Sequence, residues 1–165
     1  MDAAISQGIV GCVASLHLHP VEPGTPLFRV EFMELVEGKG IVGDNRYFGK
    51  LSRDTGAPSR RQVSLIEREQ LAEHATGLGM AIPIAPGAVR SNIETSGVSL
   101  IQLLDKEIEL GTAVLYLHSQ RDPCAKMDAL CQGLRERMMN GRQGVLAEVR
   151  RSGKVRVGDP IRVRP

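Results

Sequence analysis

Hydrophobic positions in this chain recur mostly every second residue and in short runs, which is the period of half-buried strands. Such runs cover residues 9–18 (IVGCVASLHL), 28–36 (FRVEFMELV), 62–66, 106–110, 113–118, 145–150, 154–157 and 161–164. In the second run Phe28, Val30 and Phe32 fall on one face, with Arg29 and Glu31 on the other. Turn-forming residues separate the runs at Pro23-Gly24, Gly38 and Gly40, Gly43-Asp44, Pro86-Gly87, Gly153 and Gly158-Asp159-Pro160. Two stretches read as helices instead. Residues 67–76 are rich in helix formers and stop near Gly77 and Gly79. Residues 123–139 place Met127, Leu130, Leu134 and Met138 along one apolar stripe. Many strands with two helices in a short chain predict a closed or partly closed barrel, because closure removes exposed strand edges.

At 165 residues the chain has the size of a single domain, expected to span 1–165 with its core over about 8–164. No internal repeat or linker divides it. The net charge of +2 offers no field for a nucleic acid or a membrane surface, so neither partner is expected. With 3% aromatics and no Trp, base stacking and aromatic sugar platforms are poor explanations. Three cysteines, Cys12, Cys124 and Cys131, make neither a disulfide framework nor a zinc-type CxxC pair. The first residues lack a signal-peptide pattern, and no apolar run reaches the roughly 18 residues of a membrane span. A reduced, cytoplasmic protein is expected.

The segment Arg121-Asp122-Pro123-Cys124-Ala125-Lys126 carries the most chemistry. Asp122 is a favoured N-cap and Pro123 suits a first helical position, which predicts Cys124 at the second. A thiol at a helix N-terminus, flanked by Arg121 and Lys126, is favoured as the thiolate, both the nucleophile and the metal ligand. Cys131 and Cys12 lie on apolar runs and are expected in the core. The glycines of Lys39-Gly40-Ile41-Val42-Gly43-Asp44 suit tight turns or the close approach of a ligand, and they form neither a P-loop nor a dinucleotide fingerprint. Arg60-Arg61 and Arg90 precede strand-like or polar segments, where a guanidinium can grip phosphate or carboxylate. With Arg46, Arg121 and Lys126 they make an anionic-ligand pocket if the fold gathers them. His17 and His19, two apart on a strand, share a face but lack an evident third metal ligand.

Taken in order, five segments resemble the MOSC family, the molybdenum-cofactor-sulfurase C-terminal domain, in its stand-alone bacterial form. They are KGIVGD (39–44), RQVSLIEREQL (61–71), PGAVRSNIETSGVSL (86–100), ELGTAVLYLHSQRDPCAKM (109–127) and GVLAEVRRSGKVRVGDPIRV (144–163). The resemblance implies a mainly β fold, a MOSC-type β-barrel with two or more short α-helices packed on it. It also implies a functional cysteine, here Cys124, that carries sulfur or ligates the molybdenum of a pterin cofactor. Cofactor contacts would then come from Arg61, Asn92, Arg46, Asp44, Arg121 and Lys126. Many relatives carry a histidine soon after the Gly-Asp turn, where this chain has Asn45-Arg46-Tyr47.

The function implied is molybdenum-cofactor or sulfur handling, with the Mo-binding component of a reductase for N-hydroxylated compounds as its enzymatic form. A separate electron donor, a cysteine desulfurase or a molybdoenzyme would be the partner. No pyridoxal phosphate is expected, since no desulfurase domain is present. The alternative is a non-catalytic barrel that binds an anionic ligand or a protein partner.

Overall fold

A ten-residue strand, β1 (Ile9–Leu18), forms the seam on which the sheet closes. In the computed structural model, which describes residues 8–165, β1 pairs with β6 (Ile93–Ser96) and with β11 (Pro160–Val163). Around the barrel these are followed by β5 (Val63–Glu67), β9 (Val145–Arg151), β8 (Ala113–Gln120) and β7 (Glu107–Leu110). The order β1-β6-β5-β9-β8-β7-β11 returns to β1 and closes seven strands. β2 (Phe28–Val30) adds to the far end of β1, beyond the closure. A second sheet of three strands sets β10 (Gly153–Arg156) beside β3 (Phe32–Val36) and β4 (Gly40–Ile41). Its Met33, Leu35, Ile41 and Val155 join the core that fills the barrel.

Among the described residues, β5 and β6 are the one parallel pair in the barrel. A parallel pair needs a crossover, and helix α1 (Arg68–Gly77) lies in it. Helices α2 (Met127–Leu130) and α3 (Leu134–Arg137) pack with α1 over the outer face of β5, around Ile66, Leu71, Met127, Leu134 and Met138. All five residues of β5 are therefore buried, with Val63 and Leu65 in the barrel core and Ile66 under the helices. Among the described residues no helix is long and apolar enough to cross a membrane.

Several expectations change. The run 28–36 breaks at Glu31 because its halves serve different sheets, β2 bonding to β1 and β3 to β10. Phe28 and Phe32 are exposed, while Met33 and Leu35 are buried, so β3 turns the opposite parity inward. Two strands lay hidden: β4 is only two residues, and β6 buries Glu94 and Thr95, which erases any apolar alternation. Cys12 is exposed rather than core, because its neighbour Val13 takes the inward position.

The helix expected over 123–139 is two separate turns. Cys131 is extended (φ −163°) and Gly133 left-handed (φ 91°), and between them they stop α2 before α3 starts. The Asp128 carboxylate accepts N–H bonds from Gly133 (3.2 Å) and Arg135 (3.0 Å), capping α3 from outside it. Met127, Leu134 and Met138 of the expected stripe are buried, but the break turns Leu130 outward to 42% exposure.

Candidate functional site

The last residues of β1, the turn after β4 and the entry to β6 meet in a buried polar network. Asp44 Oδ1 accepts the His19 backbone N–H (2.8 Å) and the Asn92 amide (2.9 Å). The Tyr47 N–H donates to Asp44 Oδ2 at 3.0 Å. Burial by itself would raise the Asp44 pKa, but these bonds and the His19 ring hold the carboxyl below its usual range. Asn92 is equally committed. Its Oδ1 accepts both the N–H and the hydroxyl of Ser64, and its Nδ2 also donates to the His17 carbonyl.

His19 Nδ1 lies 2.8 Å from Asp44 Oδ1 and its Nε2 3.1 Å from the Arg90 carbonyl, so both nitrogens are spent. His17 places Nδ1 3.0 Å from the Ser91 carbonyl, and its Nε2 is buried without a partner. Burial lowers the His17 pKa and keeps the ring neutral. No cluster of three or more metal-type ligands occurs among the described residues. The shared face of the two histidines thus serves the network.

Beside this network lie cations without carboxylates. Arg121 is half-buried and donates through Nη1 to Ser91 Oγ (3.0 Å) and to the Val89 carbonyl (3.2 Å). Burial lowers its pKa, and Arg46 and Arg61 are near enough to push it further down, while Tyr47 and Cys124 oppose them. Among the described residues none of Arg46, Lys50, Arg61, Arg90, Arg121 or Lys126 forms an ion pair. Arg60, by contrast, is taken up by Glu148. A cavity of about 250 Å³ opens beside His19, and Pro20, Asn45, Arg46, Lys50 and Arg90 also line it. The His19 and Tyr47 rings meet edge to face at 5.3 Å, and the Arg46 guanidinium sits 5.6 Å from the Tyr47 ring centroid.

Cys124 is exposed, as are Ala125 and Lys126. The helix start expected to hold it does not form. Asp122 is exposed and takes a bond from Gln120 (3.4 Å) instead of capping, and α2 begins only at Met127. The thiol is presented by a loop fixed at both ends instead. The Arg121 N–H donates to Gly144 O (3.0 Å), Pro123 is buried, and buried Met127 donates its N–H to the Cys124 carbonyl (3.1 Å). Cys131, expected in the core, is half-buried at the edge of the helical cluster.

Of the residues proposed from sequence, Arg46 lines the cavity, Arg61 is exposed at the approach to β5, Arg121 is tied to Ser91 next to Asn92, and Cys124 and Lys126 stand exposed on the loop after β8. Asp44 and Asn92 lie beneath them with their polar atoms occupied by protein partners. Lys50 and the role of His19 are not legible in the sequence. No local pattern marks Lys50, whereas the His19 ring could be anticipated only by pairing it with Asp44, 25 residues away.

The MOSC domain pattern matches residues 39–162. Among solved structures, the chain is similar to the YuaD protein of Bacillus subtilis, with 22% identity, 93% of this chain and 94% of that one covered, and a TM-score of 0.78. It is also similar to YiiM of Escherichia coli (19% identity, 93% and 70% covered, TM-score 0.66). YiiM of Geobacillus stearothermophilus gives 16% identity, 95% and 74% coverage and a TM-score of 0.64. At these identities the likeness is one of fold. No curated protein sequence matches significantly.

Proposed function

Because this chain belongs to the MOSC domain family, we propose that it handles a molybdenum-pterin cofactor, or the sulfur destined for one, through Cys124. The observation that carries this reading is an exposed thiol three residues from half-buried Arg121, which like Arg46, Arg61 and Lys126 has no ion-pair partner among the described residues. The donor set fits the group. A soft thiolate suits molybdenum, and guanidinium N–H pairs suit the terminal phosphate of a pterin. When bound, the molybdenum would supply redox or sulfur-transfer chemistry.

The chain's own residues bind and orient. Arg46, Arg61 and Lys126 attract and hold the anionic end, with Lys50 added from the cavity. Arg121 holds positive charge near the thiol, and its bonds to Ser91 and Val89 fix its direction. Asp44 and Asn92 act as positioning residues, since they hold His19 and the turn that presents Arg46. In an enzymatic form, the protein would be the molybdenum-binding component of a reductase for N-hydroxylated compounds, served by a separate electron donor. In a carrier form its partner would be a cysteine desulfurase or a molybdoenzyme. The unpaired cations also favour a second reading, an anion-binding barrel that makes no use of the thiol.

Alkylation of the thiols with and without molybdenum cofactor tests the proposal. Cofactor should protect Cys124 and leave exposed Cys12 unaffected. Equal alkylation of Cys124 in both conditions, with the cofactor bound, would leave the second reading standing and remove the first.

A further inference from the structure

A second cleft of about 310 Å³ shares Arg90 with the cationic cavity and is lined mainly by apolar groups that include Pro26, Leu27, Ala85, Ala88 and Leu130. Arg90 lines both spaces. Leu130, exposed by the break between α2 and α3, has its side chain in this wall. The floor is firmly built. Gly87 is left-handed (φ 82°), and a Cβ there would approach His17 Cδ2 to 3.1 Å, so the loop rests directly on the buried His17 ring. The Gly87 N–H donates to Glu94 Oε2 (2.8 Å), and Glu94 is itself buried against Arg68.

Arg90 is fixed as tightly. It takes a left-handed conformation (φ 66°), uncommon without glycine, and its carbonyl is held by His19 Nε2. Its side chain spends Nη1 on the Thr25 carbonyl (2.9 Å). A guanidinium has five N–H donors, and among the described residues Arg90 has no ion pair and no other side-chain hydrogen bond. An oriented cation with unspent donors at the edge of an apolar cleft complements a planar anion attached to an apolar body. A highly charged phosphate is matched better by Arg46 and Lys50 on the other side.

We propose that this cleft binds a small organic carboxylate, with an apolar body of about ring size against Pro26, Leu27 and Leu130 and the carboxylate on Arg90. The site requires neither the thiol nor a cofactor, so it stands or falls independently of the function proposed above.

The test is a titration of the whole protein, followed through backbone amide NMR shifts, with benzoate, acetate and benzyl alcohol as separate probes. Benzoate should shift Gly87, Ala88 and Leu130 and saturate. Acetate lacks the ring and benzyl alcohol lacks the charge, so each should bind about tenfold more weakly or worse. Arg90→Asn removes the charge with a residue that tolerates the left-handed backbone, and it should weaken benzoate by a similar factor. Leu130→Asp, at an exposed position, should abolish benzoate binding and leave phosphate shifts at Arg46 and Lys50 unchanged. If Arg90→Asn does not fold, Leu130→Asp decides alone. Acetate binding as tightly as benzoate, benzoate shifts confined to Arg46 and Lys50, undiminished binding in either folded variant, or no saturation would each overturn the site.

Discussion

Asp44 is buried and keeps its charge because four groups donate to its two oxygens: the His19 ring, the His19 and Tyr47 backbone N–H groups and the Asn92 amide. Since its folded pKa is depressed, its stabilisation is present above its unfolded pKa and is lost as pH falls through the folded value. Asp44→Asn should therefore cost about 1.5–3 kcal/mol near neutral pH, the range for hydrogen bonds to a charged group. Urea unfolding should show the gap to the parent narrowing toward acid pH. Glu67 behaves in the opposite sense. Burial pushes its carboxyl up to about 7, and its Oε1 has no hydrogen-bond partner. A raised folded pKa gives stability that is complete below the unfolded value and is lost as pH rises through about 7. Glu67→Gln should flatten that decline and make the protein more stable than its parent at alkaline pH; thermal unfolding at pH on either side of neutrality checks it. At this scale the sequence pointed to Asp44 and Asn92 but not to their task, because hydrogen-bond partners 25 and 28 residues away cannot be read from local spacing.

Strands β8 and β9 are legible because the residues they send into the barrel core, Ala113, Leu115 and Leu117 and then Val145, Ala147 and Val149, recur every second position. β6 is not, since its buried Glu94 is satisfied by Arg68 and Gly87 rather than avoided. Of the stripe expected across α2 and α3, Met127, Leu134 and Met138 are buried but Leu130 is not, because the helix is broken. Its interruption depends on the Asp128 side chain folding forward to cap the second turn. Element boundaries also rest on single glycines. Gly144, which leads into β9, is left-handed (φ 74°), and a Cβ there would overlap the Leu65 carbonyl oxygen of β5. Its own carbonyl receives the Arg121 N–H. Gly144→Ala should destabilise by about 2–4 kcal/mol, measured by urea unfolding, and should also disturb Arg121 and the loop that presents Cys124. A loss below about 0.5 kcal/mol, the size of an ordinary surface change, would mean that the two strands part easily there.

At the scale of the whole molecule, barrel closure is what converts separate segments into a site. The turn at Asp44–Tyr47, the Arg61 approach to β5, the Ser91-Asn92 entry to β6 and the Arg121–Cys124 loop after β8 come from four distant stretches. The seven-strand order was foreseeable in kind, since many short strands need a closed edge, but the pairing of β1 with both β6 and β11 was not. Residue types alone single out the candidate segments; only the fold shows that, among the described residues, Arg46, Arg61, Arg121 and Lys126 have no ion-pair partner.

If this chain holds molybdenum or its sulfur through Cys124, as proposed, the metal should be lost with the thiol. Molybdenum and pterin content per chain, measured on freshly purified parent, Cys124→Ser and Cys131→Ser proteins, tests it most directly. Serine keeps the size of the side chain but replaces a soft ionisable donor by a hard neutral one, so stability should hardly change at exposed position 124. Molybdenum is expected in the parent and in Cys131→Ser and should be lost from Cys124→Ser. Equal molybdenum in the folded Cys124→Ser protein and its parent would contradict it.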